Sequence, residues 1–265
     1  MDTLDQLRGD WESLAERDAL HAILTDAAKT RGRWDIQEFM STGNTEIKTV
    51  MNHLSGLPYL PDYQGKALDF GCGVGRLSQP LARYFASCIG LDISHRMIEK
   101  AESLNRCPNC NYAANSDTHL PFADAHFSFI YSNIVLQHLP RHISKEYLQE
   151  FVRLLAPGGV LVFGVQDSFA APDVSSLLTR VRHILRIRSR LKVALGFGGG
   201  DMQMHCLPER IVRRALGPAK IADIQFTNSA AKDFNGKLVY LRQPPTSGYI
   251  GKQYCVIKPR QHRDN

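Results

Sequence analysis

No apolar run in this 265-residue chain approaches the roughly 18–20 residues that a membrane-spanning helix needs. The opening stretch "MDTLDQLRGDWESL" is acidic and polar, without the basic start and apolar centre of a secretory signal, so the reading is a cytoplasmic protein. Cysteine is sparse and scattered, at Cys72, Cys88, Cys107, Cys110, Cys206 and Cys255, and only Cys107 and Cys110 form a C-x-x-C pair. No second pair stands at ligand spacing to complete a zinc site, and this pair falls where a helix ends and a strand begins, whereas a redox motif opens a helix. No metal set is expected. Acid is missing from residues 174–200, where Arg180, Arg182, Arg186, Arg188, Arg190 and Lys192 occur with no Asp or Glu. Those six charges equal the whole net charge of +6, so the remainder of the chain is neutral. A basic face spread over the molecule, the footprint of a nucleic-acid binder, is therefore not indicated.

What is present divides in two. Residues 1–64 read as a helical cap, with Leu4, Leu7, Trp11, Leu14 and Ala15 on one helical stripe and Ile47, Val50, Met51 and Leu54 on another. "MSTGN" between them reads as a turn, and Trp34, Phe39 and Met40 suit either the core or the wall of an apolar ligand site. From residue 65 to 265 short apolar strands alternate with amphipathic helices, the pattern of an α/β fold with a mostly parallel sheet covered on both faces. The last two strands, "AKIADIQFT" and "QYCVIKP", have no crossover helix between them, which predicts an antiparallel closing pair. Residues 168–207 read as a basic helical insertion.

The stretch "ALDFGCGVGRLSQPLA" carries Gly71, Gly73 and Gly75 after a strand. A dinucleotide fingerprint spaces its glycines G-x-G-x-x-G, and here Arg76 stands where the third should be. Asp69 just before the turn would repel a pyrophosphate but suits a ligand bearing an ammonium or sulfonium charge. Asp92, at the end of "CIGLDIS", is placed to accept hydrogen bonds from both hydroxyls of a ribose.

With "GLDISHRMIEKA", "LPFADAHFSFIYSNIVLQHLP" and "LLAPGGVLVF", the turn completes four ordered motifs over residues 66–164. The arrangement resembles the class I S-adenosylmethionine-dependent methyltransferases, in the group with a type 11/12 methyltransferase domain. The resemblance implies a Rossmann-like seven-stranded sheet with an antiparallel closing strand, and S-adenosylmethionine as cofactor. Carried over by position, it implies that Asp69, Gly71 and Gly73 hold the methionine part and Asp92 the ribose. Ile93 and Met97 would pack on adenine, while Ser116 and Asp117, with Asn115 beside them, would reach its amino group. Asn133 would face the sulfonium end.

Methyl transfer is an in-line displacement whose main requirement is alignment with water excluded, so a base is needed only for a poorly acidic acceptor. His138 in "LQHLP" and His205 in "MQMHCLP" are the candidate bases, and His119 reads as structural. The preferred acceptor is a small molecule methylated on oxygen or nitrogen. The basic stretch 174–200 reads as a solvated helix face or as a membrane-surface helix serving a lipid or quinone-like acceptor. Its near-lack of aromatics for base stacking weighs against RNA.

Overall fold

The computed structural model describes residues 4–170, 204–231 and 233–260. Two helices come first, α1 (Leu4–Ile23) and α2 (Ile36–Ser55). The alternating part follows as β1 (Lys66–Phe70), α3 (Ser78–Ala82), β2 (Ser87–Asp92), α4 (His95–Leu104), β3 (Cys110–Ala114), β4 (Phe127–Ser132), α5 (Arg141–Leu154) and β5 (Leu155–Ala170). The chain closes with α6 (Glu209–Ala215), β6 (Lys220–Thr227), β7 (Tyr240–Leu241) and β8 (Gly248–Ile257).

All eight strands form one sheet in the order β3-β2-β1-β4-β5-β8-β6-β7. The pairs among β1 to β5 are parallel, and β8 runs antiparallel between β5 and β6. This is the predicted α/β architecture with its antiparallel closing strand; the eighth strand is the two-residue β7, paired with the end of β6. β4 is buried on both faces along its whole length, as a central parallel strand must be. Leu68, Ile130, Leu161 and Phe163 pack with Phe151 of α5 on one face, while Phe129, Tyr131, Val160 and Val162 pack with Ile47 and Val50 of α2 on the other. Strand order reverses between β1 and β4, and the crevice beyond their carboxyl ends is where such sheets bind ligands.

Three expectations change in detail. "MSTGN" is no turn: α2 runs unbroken through it, opened by Asp35, whose side chain accepts from the Glu38 N–H. Gly43 sits mid-helix because a Cβ there would stand 2.0 Å from the Arg76 carbonyl oxygen; the glycine permits close packing instead of breaking the helix. α1 is interrupted at Asp18 (φ −164°, ψ 84°), whose carboxylate accepts from the His21 and Gly32 N–H groups. β5 extends to Ala170, so residues 168–170 belong to the sheet and not to the insertion. The basic stretch 174–200 lies outside the described residues, among which no helix is long and apolar enough to cross a membrane.

Candidate functional site

The crevice at the carboxyl ends of β1, β2 and β4 holds about 780 Å³ of empty space, open to solvent at its mouth. Gly71 and Gly73 form its floor, Asp92, Ile93, Met97 and Asn115 one side, and Ile134, Val135, His138 and Tyr147 the other. Leu7, Trp11, Ala22 and Ile23 of α1 close it from above. Few polar groups in an otherwise apolar wall is the usual composition of a small-molecule site.

The floor is a turn that only glycine can make. Gly71, Gly73 and Gly75 have φ of +74°, +53° and +81°, in the left-handed region that L side chains avoid. A Cβ on Gly71 would also stand 2.3 Å from Val135 Cγ2, and one on Gly73 2.5 Å from Ile23 Cδ1, so the walls rest directly on the glycines. Asp92 ties the turn to the second strand: Oδ2 accepts from the Gly73 N–H (2.8 Å) and Oδ1 from the Ser94 N–H (2.9 Å). Its burial in the crevice wall pushes the carboxyl up, against the pull of those N–H groups. Ser94 caps α4 by accepting from the Met97 N–H, which sets Ile93 and Met97 side by side in the wall.

Asp69 lies behind the turn and not on the crevice surface. It is 1% exposed and accepts a 2.6 Å hydrogen bond from Ser78 Oγ. Burial pushes its carboxyl from 3.8 up to about 7, against the Ser78 hydroxyl and the Arg76 charge. The folded protein therefore holds this proton more tightly than the unfolded chain does. The stability it supplies is complete below about pH 4 and is lost as pH rises through about 7. Thermal scans should show the midpoint of wild type falling over this range more steeply than that of Asp69→Asn; parallel profiles would contradict the assignment.

The adenine-side expectation shifts by one or two residues. Asn115, the first residue after β3, lines the crevice, with its N–H on the Asp92 carbonyl and its Nδ2 donating to the Asp117 carbonyl. Ser116 and Asp117 are exposed outside the crevice lining, and the Asp117 carboxylate accepts from the His119 N–H. Asn133 turns away from the crevice, donating through Nδ2 to Glu46 Oε1 (2.8 Å). His138 does line it, in a single 3-10 turn (Leu136–His138), with the Trp11 ring edge-on at 5.6 Å between centroids. His205 is absent from the lining, but its N–H donates to the Gln137 carbonyl, which brings its backbone against the same turn. His119 reaches Glu150 at 3.3 Å on the surface. Trp34 and Phe39 join the core around Val74 and Met97, with Met40 packed against it.

Leu7 and Trp11, read from the sequence only as members of a helical stripe, and Ile23 and Tyr147, not singled out there, all line the crevice. Their signal in the sequence is an ordinary amphipathic stripe, indistinguishable from core. Ile134 is a further surprise, a β-branched residue at φ +55°.

Comparison with known proteins agrees with this geometry. Residues 68–163 match the family model described as "Methyltransferase domain". Among curated relatives, a trans-aconitate 2-methyltransferase of Streptomyces avermitilis is 30% identical over 166 residues, 60% of this chain and 60% of that protein. One of Methylobacterium radiotolerans is 40% identical over 109 residues, 40% of each chain. The chain thus matches at most about three-fifths of the length of these relatives. Among solved structures, magnesium protoporphyrin IX methyltransferase from Synechocystis PCC 6803 with bound SAH aligns with a TM-score of 0.57 at 18% identity, covering 96% of this chain and 99% of that one.

Proposed function

We propose, from the premise that residues 68–163 are a methyltransferase domain of the class I S-adenosylmethionine-dependent family, that this chain moves a methyl group to a small-molecule acceptor, on oxygen or nitrogen. The observation that carries the reading is the crevice itself: a left-handed triple-glycine floor, one carboxylate on its wall at the end of β2, and apolar side chains flanking it.

The residues fit S-adenosylmethionine. Gly71 and Gly73 line the crevice in the left-handed region and put no side chain into it, so a ligand can lie against the backbone. Asp92 presents acceptor oxygens for a ribose while holding the turn in place. Ile93 and Met97 supply an apolar surface for a purine ring, and Asn115 a polar group beside it. When bound, the cofactor supplies an electrophilic methyl group whose transfer leaves a neutral thioether.

The chain's own contribution is alignment and exclusion of water. Trp11, Leu7 and Ile23 cover the crevice from α1, and Ile134 and Val135 crowd the side facing the glycine floor. His138 is the ionisable group in that lining besides Asp92 and Tyr147, and it is the group that we assign to take the acceptor's proton. His138→Gln should cut transfer by about 100-fold, the scale of a lost general base, while SAH affinity stays within twofold. Equal transfer by the variant would show that the acceptor ionises unaided.

The test of the whole reading is incubation with methyl-labelled S-adenosylmethionine and a cell extract separated into small-molecule, lipid, RNA and protein fractions. Label in the small-molecule fraction, absent with Asp92→Ala, is the expected result. Label in the lipid fraction would move the acceptor to a membrane surface. Cofactor binding with label in no fraction would favour a binding protein that keeps the fold without transfer.

A further inference from the structure

We propose that Glu46, in the middle of α2, is a positioning residue that fixes from behind the two loops forming the crevice; the inference rests on that crevice being the cofactor site. Glu46 is fully buried and touches no crevice surface. Its Oε1 accepts from Tyr131 Oη (2.9 Å) and from Asn133 Nδ2 (2.8 Å), and its Oε2 lies 2.9 Å from Arg76 Nη2. Arg76 is itself 1% exposed and donates through Nη1 to Thr42 Oγ1 (3.3 Å). One carboxylate therefore joins α2, the residue that follows the glycine turn, and the end of β4.

A buried ion pair gains little stability over apolar side chains of similar volume, so the fold alone does not account for it. Its consequence is local. Asn133 precedes Ile134, held at φ +55°, and Val135, whose Cγ2 rests on Gly71. A β-branched residue keeps a left-handed φ only where its surroundings over-determine it. Here the strained residue sits between two clamps, Glu46 on Asn133 behind and Val135 on Gly71 in front. Ile134 and Val135 both line the crevice. Releasing the rear clamp lets Ile134 relax to negative φ and withdraw from the wall, while Arg76 no longer holds the glycine turn against α2.

Two double variants separate positioning from folding. Glu46→Gln with Arg76→Gln removes both charges but keeps an oxygen for Tyr131 and Asn133. Glu46→Leu with Arg76→Met removes the same charges, keeps the volume and offers no acceptor. SAH affinity by calorimetry and the thermal midpoint would be measured for each. The first should bind SAH within about threefold of wild type, and the second at least about tenfold more weakly although it is no less heat-stable, the scale of strain released at one residue. Equal SAH affinity in the two would overturn the proposal. Asn133→Leu, which leaves the Glu46–Arg76 pair intact, should lose affinity like the second variant; wild-type affinity there would also overturn it, whether or not both doubles fold. Failure of wild type to bind SAH at all would instead defeat the cofactor reading.

Discussion

Asp92→Ala should weaken binding of S-adenosylmethionine and of SAH by at least about 100-fold, the combined loss of two hydrogen bonds to a charged acceptor. The carboxylate has two duties in this account. Its oxygens hold the Gly73 and Ser94 N–H groups and so set the turn against the second strand. It also stands in the crevice wall where ribose hydroxyls would meet it. Asp92→Asn keeps one acceptor oxygen and should fall between wild type and alanine. Calorimetric titration of the three proteins would check the order, and equal affinities would remove Asp92 from the site. Because Asp92→Ala also strips the Gly73 and Ser94 N–H groups of their acceptor, a circular-dichroism spectrum matching wild type is the control that makes the binding result interpretable.

Gly43→Ala should be among the most destabilising single-methyl additions in the molecule. In an exposed helix the same change stabilises by roughly 1 kcal/mol, because alanine is the better helix former. Here the new Cβ would stand 2.0 Å from the Arg76 carbonyl oxygen and 2.8 Å from its carbon. These are backbone atoms that cannot rotate aside, and overpacking of this kind costs about 1–3 kcal/mol and more where nothing yields. A net loss of about 2 kcal/mol would lower the thermal midpoint by roughly 4–8 °C in a chain of this size. Helix α2 would have to move away from the glycine turn, so SAH affinity should fall with stability. A midpoint at or above that of wild type would show that the helix shifts freely, and would weaken the case for Glu46 as well.

Gly43 also shows where the sequence misleads. "MSTGN" has the composition of a turn, and nothing local reveals that a carbonyl 33 positions later in the chain needs that space. Long-range approach of two backbones leaves no periodic signature. The parallel sheet was legible because its apolar strands and amphipathic helices alternate at regular spacing, and the glycine turn because its spacing, with Asp92 at the end of the next strand, restricts the ligand. Asn115 was harder, since five consecutive polar residues follow β3 and only the strand's exact end decides which one faces the crevice. Glu46 was unreadable for a different reason. A glutamate in a helix normally marks the solvated face, and its burial at 0% depends on Arg76, Tyr131 and Asn133 arriving from three distant segments. Trp11 and Ile23 likewise belong to an ordinary apolar stripe until α1 is seen lying over the glycines.

The central claim is that the glycine-floored crevice binds S-adenosylmethionine and not a dinucleotide. Trp11 lines that crevice, while Trp34, the other tryptophan, is buried in the core, so ligand entry should report through one ring. Titration of the purified chain with SAH, followed by tryptophan fluorescence and repeated with Trp11→Phe and with NADH, is the most direct measurement. The account predicts saturable micromolar binding of SAH, loss of the signal in Trp11→Phe, and no competition from NADH. Micromolar binding of NADH, with SAH silent by fluorescence and by calorimetry, would contradict it.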